Sequence, residues 1–338
     1  VHGSDVMCIL AGDYAENAVA TGGREPAFQG LTGSAREADY LLLRTEDTFS
    51  EYPAEQDFWA AAAEFADSAG CEIITSSLGY YRFDDPSMDY KYYDMDGKTA
   101  FITFAAEIAV SRGIVVVNSA GNEGSTDWKY IIAPSDGAHV IAVGAVDGIS
   151  GRAPFSSQGP TSDGRLKPDV MAQGVYLPMQ RSYNEPGWGT YYSIVFGSGT
   201  SYSCPVISGM IACLMQAVPE AGASDIISTI REVSDRYNDP DSLYGYGIPD
   251  FARAVTYLQR KFIPEPEEEL SIGPNPFKDR IRIFFKESPE LLIVELLDSF
   301  GNPLFMRNYL TYISLSFELE DLQNLKPGMY YLRLTTAR

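Results

Sequence analysis

The chain is poor in basic residues and contains no long apolar run. Its 338 residues include 25 Lys and Arg against 46 Asp and Glu, so the formal net charge is −21 at pH 7. This acidity argues against nucleic acid or an anionic membrane as a partner, because both would repel the protein. No run of about 18 apolar residues occurs, so the sequence predicts no transmembrane segment.

Cysteine and histidine are also scarce. The four cysteines, Cys8, Cys71, Cys204 and Cys213, show no Cys-x-x-Cys pair and no Cys/His spacing of a metal site. Each lies in an apolar context, which favours buried free thiols over a disulfide. The sequence begins with Val1 and has no signal peptide, so we expect the natural protein to be longer.

Apolar runs typical of strands alternate with helical periodicity over residues 1–262. The predicted strands are 40–43, 73–78, 114–117 and 140–146, and the predicted helices are 54–69, 98–112, 203–217, 222–234 and 250–262. Strands that are apolar throughout and separated by helices indicate a mostly parallel sheet covered on both faces. We therefore predict an α/β domain of three layers, in which His139, just before a buried strand, is structural.

The composition changes near residue 263. A charged, proline-bearing stretch at 264–269 predicts a linker over 263–270. Short alternating strands follow at 281–285, 291–297, 314–319 and 330–334, separated by turn signals. This pattern predicts a small all-β sandwich over residues 271–338.

Residues 80–97 form a segment rich in tyrosine and aspartate. Such a segment could line a substrate cleft or supply oxygen ligands to calcium. Its acidic residues lack the spacing of an EF-hand loop, so we favour a solvated loop with aromatic packing.

The most informative stretch is 197–209, Gly-Ser-Gly-Thr-Ser-Tyr-Ser-Cys-Pro-Val-Ile-Ser-Gly. Ser201 follows small residues that permit a tight turn, and an apolar run with helical spacing follows it. Free backbone N–H groups and the helix dipole stabilise negative charge at the start of a helix. Pro205 is predicted in the first turn, where its missing N–H costs nothing. A bare Gly-Thr-Ser is more typical of an ordinary capped helix.

Three stretches together resemble the motifs of the subtilisin-like serine proteases, the subtilases. They are Gly199-Thr200-Ser201-x-Ser203-x-Pro205-x-x-Ser208-Gly209, His2-Gly3-x-x-Val6-x-x-x-x-Ala11-Gly12, and Asn118-Ser119-Ala120-Gly121-Asn122-Glu123-Gly124. The resemblance covers residues 1–262 and implies a subtilisin-like fold. It implies Ser201 as nucleophile, His2 as general base and Asn122 as oxyanion donor beside the Ser201 backbone N–H. Asp5 departs from the histidine often found at its position.

The same resemblance implies the walls of the main specificity pocket, Ser77, Leu78 and Gly79 on one side and Ser119, Ala120 and Gly121 on the other. Calcium often supports subtilases, but no motif here fixes a site, so no metal ligand is assigned.

The aspartate of the catalytic triad has no counterpart in this sequence. In subtilases it precedes the histidine, and here only Val1 does so. Neither Asp5 nor Asp13 is placed to reach the outer nitrogen of the His2 ring. We expect the aspartate in an N-terminal segment outside these residues, and we expect the given chain to have little activity.

Residues 273–277 (Gly-Pro-Asn-Pro-Phe) and 325–332 (Leu-Lys-Pro-Gly-Met-Tyr-Tyr-Leu) resemble the C-terminal sorting domain of type IX secretion substrates. The last strand of that family is expected after Arg338. The resemblance implies the type IX secretion machinery as a partner, and a location outside the cell or on the outer-membrane surface of a bacterium.

These observations predict a secreted or cell-surface serine endopeptidase that hydrolyses protein or peptide substrates through an acyl-enzyme on Ser201. The alternative is a pseudoprotease that binds peptides without cleaving them. The presence of Ser201, His2 and Asn122 together favours the protease. A lipase or esterase would require a Gly-x-Ser-x-Gly elbow between a strand and a helix, which residues 197–199 do not supply.

Overall fold

A computed structural model of the chain describes residues 2–13, 31–185, 189–262, 270–273, 277–289, 291–309, 315–320 and 322–337. The chain divides into two compact units, Val1–Phe251 and Ala252–Arg338. Most of the predicted linker, 263–269, and part of the predicted sorting motif, 274–276, lie outside the described residues. Over the described ranges, no helix is long and apolar enough to cross a membrane.

A four-stranded parallel sheet organises the first unit. Its strands lie in the order β1-β2-β3-β4 and are β1 Ile73–Ser76, β2 Val115–Ser119, β3 Ile141–Val146 and β4 Val170–Gln173. Every residue of β2 and β3 is buried, as expected for central strands of a parallel sheet. The predicted α/β fold with a parallel sheet is confirmed.

Helices of the first unit pack on this sheet and on one another. Their bounds, with the helix that runs into the second unit, are α1 His2–Ala11, α2 Ala54–Ala69, α3 Phe101–Ser111, α4 Thr200–Ala217, α5 Ala223–Glu232 and α6 Phe251–Phe262. Helix α4 contacts all four strands, and α1 packs on α4. Helix α2 ends at Gly70, whose φ of 79° is a left-handed conformation that glycine adopts without steric cost. Because α4 contacts all four strands and also α1, it joins the sheet to α1.

One predicted strand is absent from the structure, and some observed strands were not predicted. Residues 40–43 are not a strand, and Leu41, Leu42 and Leu43 are exposed. A strand needs a neighbour for its backbone groups, and within the described residues β1 pairs only with β2. Conversely, an antiparallel hairpin of β5 Leu177–Glu185 and β6 Gly189–Gly197 was not predicted.

A buried ionic network joins the residues just before β3 and β4 to helix α5. The Lys167 ammonium donates to Asp169 at 2.6 Å and to the carbonyl of Val140 at 2.6 Å. Arg231 donates to the other carboxylate oxygen of Asp169 at 2.5 Å. Burial alone would raise the pKa of Asp169, but the charges of Lys167 and Arg231 outweigh it and hold that pKa below its usual value. Asp169 is therefore ionised in the core.

The second unit contains two antiparallel three-stranded sheets, with the orders β10-β9-β12 and β11-β8-β7. Its strands are β7 Leu270–Gly273, β8 Ile281–Phe285, β9 Leu291–Leu297, β10 Pro303–Tyr309, β11 Ser316–Leu319 and β12 Tyr331–Ala337. Burial alternates along β8 and nearly so along β9, so that Ile283 and Val294 face one apolar core. This confirms the predicted all-β character.

All four cysteines are free thiols, as predicted. The prediction that all four are buried is wrong, because only Cys204 is buried and Cys213 is exposed. Burial raises the pKa of Cys204 to about 11, so this thiol is inert at neutral pH. His139 is exposed and its Nδ1 lies 2.7 Å from Glu107, which agrees with a structural role.

Candidate active site

The residues singled out from the sequence meet where β1 and β2 end. Because these strands are parallel, their carboxyl ends lie side by side, and Ser76 pairs with Asn118. The segment 77–79 continues from β1, and the loop 120–122 continues from β2. The N-termini of α1 and α4 approach the same edge through His2 and Ser201, which both contact Ser77. This edge is the usual place for a site in an open parallel sheet.

Ser201 is the second residue of α4 and is 9% exposed. Its hydroxyl lies 3.5 Å from the carbonyl oxygen of Ser77, to which it donates. The backbone N–H of Ser201 belongs to the first turn of the helix, whose N–H groups have no intrahelical acceptor. The position therefore combines a hydroxyl with a backbone donor and with the positive end of the helix dipole.

Asn122 is held beside this helix end by Thr200. The side-chain oxygen of Asn122 accepts from the Thr200 N–H at 2.9 Å and from the Thr200 hydroxyl at 3.1 Å. Gly121 has a φ of 107°, which a residue with a side chain rarely adopts, and its N–H donates to the Thr200 hydroxyl. With the oxygen fixed by two donors, the exposed NH2 group of Asn122 is the end that can donate to a ligand.

His2 is the first residue of α1 and is exposed. Its Nε2 lies 3.4 Å from the carbonyl oxygen of Ser77, the same atom that the Ser201 hydroxyl approaches. Among the described residues, no hydrogen bond joins His2 to Ser201 and no carboxylate forms an ion pair with the His2 ring. Catalytic hydrogen bonds are often long in the absence of substrate, so the lack of a direct bond from His2 to Ser201 is compatible with a catalytic role for His2.

The two aspartates nearest to His2 in sequence are engaged elsewhere. Asp5 is buried, and its carboxylate accepts from Arg181 of β5 at 2.8 and 2.5 Å. Asp13 accepts from Arg36 at 3.3 Å. The departure at position 5 is thus an ionic link between α1 and β5, and among the described contacts neither aspartate pairs with His2.

Ser77 has a role that the sequence did not reveal. Pro205 lies inside α4, beyond the first turn in which it was predicted. Since proline has no N–H, the carbonyl of Ser201 loses its normal donor four residues later. The Ser77 hydroxyl donates to that carbonyl at 2.8 Å. The end of β1 and the backbone of Ser201 are therefore joined directly.

The two predicted pocket walls are joined by Asn118. Its side-chain nitrogen donates to the carbonyl of Leu78 at 2.9 Å and to that of Ser119 at 2.9 Å. Asn118 is fully buried, as are Ser119, Ala120 and Gly121. Its amide therefore fixes the spacing of the walls, and its signal in the sequence was the change from an apolar run to polar residues at Asn118.

The tyrosine-rich segment packs against the loop that follows Asn122. Tyr81 lies 4.5 Å from Trp128, measured between ring centroids, and its hydroxyl donates to Glu123 at 2.8 Å. Tyr92 stacks on Tyr130 at 4.0 Å. The preferred interpretation, aromatic packing, is confirmed. In the described part of the chain, no three His, Cys, Asp or Glu side chains converge on a metal position, so no calcium ligands are assigned there.

Carboxyl groups cluster near the His2 end of the site. Partial burial and repulsion from Glu55, Glu46 and Asp84 raise the pKa of Glu51 to about 7. Burial and Glu55 also raise the pKa of Glu46, whereas the charge of His2 lowers it. Glu55 is buried and accepts from the Tyr80 hydroxyl at 3.0 Å. Because its pKa is raised, Glu51 is protonated over a range of pH in which an isolated glutamate is ionised.

Two family profiles match the chain. The profile of the subtilase family matches residues 1–247. The profile of the secretion system C-terminal sorting domain matches residues 271–338.

Curated relatives are proteases. The serine protease AprX of Bacillus subtilis (strain 168) is 35% identical over 200 residues, which cover 54% of this chain and 42% of AprX. Subtilisin DY of Bacillus licheniformis is 33% identical over 186 residues, which cover 55% of this chain and 57% of that protein. The chain thus spans about half the length of the curated relatives it matches.

Solved structures share the fold at low identity. The self-cleaved protease domain of PatA aligns with a TM-score of 0.54 at 22% identity, over 76% of this chain and 83% of that one. MycP1 with its N-terminal propeptide removed aligns with a TM-score of 0.53 at 20% identity, over 79% of this chain and 81% of that one. At these identities the likeness shows the fold alone.

Proposed function

Because the chain belongs to the subtilase family of serine proteases, we propose that it is an endopeptidase that cleaves peptide bonds through an acyl-enzyme on Ser201. The observation that carries this proposal is the approach of Ser201, His2 and Asn122 to one edge of the sheet. The Ser201 hydroxyl and the His2 ring both lie within 3.5 Å of the Ser77 carbonyl oxygen. Asn122 is held at the N-terminus of the same helix by Thr200.

In the proposed mechanism, the Ser201 oxygen forms a bond to the substrate carbonyl carbon while His2 takes the hydroxyl proton. The carbonyl oxygen becomes an oxyanion, which the Asn122 NH2 group and the Ser201 N–H stabilise. The C–N bond then breaks and His2 returns the proton to the leaving amine. Water attacks the ester with His2 as base, which releases the acid and restores Ser201. The group that orients His2 is not among the described residues.

The C-terminal sorting domain marks the protein for export to the cell surface or the extracellular space. We propose the secretion machinery that reads this domain as one partner and extracellular proteins or peptides as substrates. We also propose residues 1–262 as the protease domain and 271–338 as the sorting domain, which the two family matches support. No step in the proposed reaction requires calcium.

Labelling with a fluorophosphonate probe tests the proposal on the protein expressed from its complete reading frame. The probe reacts with a serine only when a base and an oxyanion site activate it. We expect one label per chain, located on Ser201 by mass spectrometry and absent in Ser201→Ala. Cleavage of casein should be lost in the same variant.

The competing function is a pseudoprotease that binds peptides. The exposed His2, which no described carboxylate orients, is the observation that favours it. The same experiment separates the two, because a pseudoprotease would bind peptides but would neither take up the label nor cleave casein.

A further inference from the structure

A short segment, 131–133, is bonded to one predicted pocket wall and to the residue that follows the other wall. The Ile132 N–H donates to the carbonyl of Ala120 on one wall at 3.3 Å. Next to the other wall, Tyr80 and Ala133 exchange two backbone hydrogen bonds of 2.8 and 3.2 Å. The Trp128 ring N–H also donates to the carbonyl of Ile131 at 3.2 Å. The segment is therefore a fixed floor between the walls.

The side chain of Ile132 fills the space above this floor. A Cβ atom placed on Gly79 would lie 2.6 Å from both Cγ1 and Cδ1 of Ile132. A Cβ atom placed on Gly121, on the opposite wall, would lie 3.1 and 3.2 Å from the same two atoms. Ile132 thus touches a glycine of each wall and is 8% exposed. The two glycines leave room between the walls, and the isoleucine occupies it.

We propose that Ile132 determines the substrate class, by restricting the residue on the amino side of the scissile bond to glycine, alanine or serine. This inference rests on the proposed function, since it concerns the pocket beside Ser201. A larger side chain would have to displace Ile132, whose own N–H is bonded to one wall and whose neighbour Ala133 is bonded to Tyr80, directly after the other wall. A packed apolar side chain held in this way yields only with strain.

The first test needs no variant. The protein expressed from its complete reading frame is incubated with peptides that differ only in the residue before the scissile bond (Gly, Ala, Ser, Val, Leu or Phe), and the cleavage rates are measured. Active sites are counted by fluorophosphonate labelling. We expect kcat/KM for Ala to exceed that for Phe by about 10- to 200-fold, the range by which a shaped pocket discriminates between side chains. Equal or faster cleavage after Phe or Leu would overturn the inference.

The second test enlarges the pocket. Ile132→Ala removes the atoms that touch Gly79 and Gly121, so the preference for Ala over Phe should fall by about 10-fold or more. Ile131→Ala is the matched control, because it removes the same atoms from the neighbouring residue, which contributes no atom to the closest contacts of either glycine. Ile132→Val removes only Cδ1 and serves if Ile132→Ala fails to fold.

The outcomes are distinguishable. Labelling of Ser201 with an unchanged preference in Ile132→Ala, or an equal change in Ile131→Ala, would overturn the role of Ile132 and leave the protease intact. Absence of labelling and of cleavage for every peptide would overturn the proposed function itself.

Discussion

The serine side and the histidine side of the candidate site are held in different ways. On the serine side, Ser201 is almost buried, its carbonyl accepts from Ser77, and Thr200 fixes Asn122 through two hydrogen bonds. On the histidine side, His2 is exposed, its Nε2 lies 3.4 Å from a backbone oxygen, and its ring lies 6.0 Å from that of Tyr202, measured between centroids. The anchor of α1 lies one turn further along, where Asp5 meets Arg181.

This difference separates two requirements of a catalytic residue. A nucleophile and an oxyanion donor must be positioned before substrate arrives, and their supports are also supports of the fold. A base that is exposed contributes little to folding, so its loss should appear in the chemistry alone. The comparison therefore predicts which substitutions change activity, which change stability and which change both.

The largest expected effect is that of His2→Ala. We expect kcat to fall by about 10⁶-fold, the loss that removing the catalytic histidine causes in subtilisin, a member of the same family. The melting temperature should not change, because His2 is exposed. Peptide hydrolysis and thermal unfolding of the complete protein measure the two effects.

His139→Ala is the matched control, since His139 is the one other histidine of the sequence and pairs with Glu107. It should leave kcat unchanged. A His2→Ala protein that retains activity, or that melts well below the parent, would contradict the comparison.

Asn122→Ala should have the next largest effect. We expect kcat to fall by about 10²- to 10³-fold with KM little changed, as for the equivalent donor in subtilisin, because the oxyanion loses its side-chain donor. Steady-state kinetics with a small peptide substrate measure this loss. Asn122→Asp keeps the oxygen that accepts from Thr200 but removes the donor. Activity that returned in Asn122→Asp would show that Asn122 acts only by holding the loop.

Ser77→Ala tests the serine side for stability. The carbonyl of Ser201 would lose its donor, because Pro205 supplies none, and a buried acceptor left unpaired costs about 1–3 kcal/mol. Urea unfolding should show this decrease. Ser68→Ala is the control, since the exposed Ser68 also donates to a carbonyl, that of Phe65. Equal losses of unfolding free energy in the two variants would mean that the hydrogen bond from Ser77 to Ser201 stabilises the fold no more than an exposed one does.

The smallest effect concerns the acidic groups on the histidine side. The pKa of Glu51 is raised to about 7, above that of an unfolded chain, so its protonated form favours the folded state. Its stabilising contribution is complete below about pH 4 and is lost as the pH rises through 7. Glu51→Gln should flatten the fall in unfolding free energy between pH 5 and 8, as measured by urea titrations. An unchanged slope would exclude Glu51 as its source.

Local patterns were sufficient to predict three of the four strands of the parallel sheet, β1, β2 and β3, and most of the helices. The runs 114–117 and 140–146, which predicted β2 and β3, are apolar throughout, and the bounds of α2 were predicted without error. The short motifs around Ser201, His2 and Asn122 identified side chains that the fold brings to one edge. These features depend on neighbouring residues, which a sequence displays directly.

The features that were missed depend on contacts between distant segments. The link from Ser77 to Ser201 joins residues 124 positions apart. The proposed role of Ile132 arises because two glycines, from the segments that follow β1 and β2, lie against it. The error at 40–43 has the same origin, since an apolar run becomes a strand only where another strand pairs with it. Pro205 was wrongly predicted in the first turn, because the small residues before Ser201 do not indicate that α4 already begins at Thr200.

The buried network of Lys167, Asp169 and Arg231 links the stability of an exported protein to the pH outside the cell. As long as Asp169 keeps its charge, it is the counterion of two cations in the core. Since the pKa of Asp169 is lowered, its contribution to the free energy of unfolding is complete above the usual aspartate pKa. That contribution is lost only as the pH falls through the lower pKa of the folded state. Once protonated, it would leave two unscreened positive charges facing each other. Protonation of this one buried carboxylate would therefore destabilise the core of the first unit in acid.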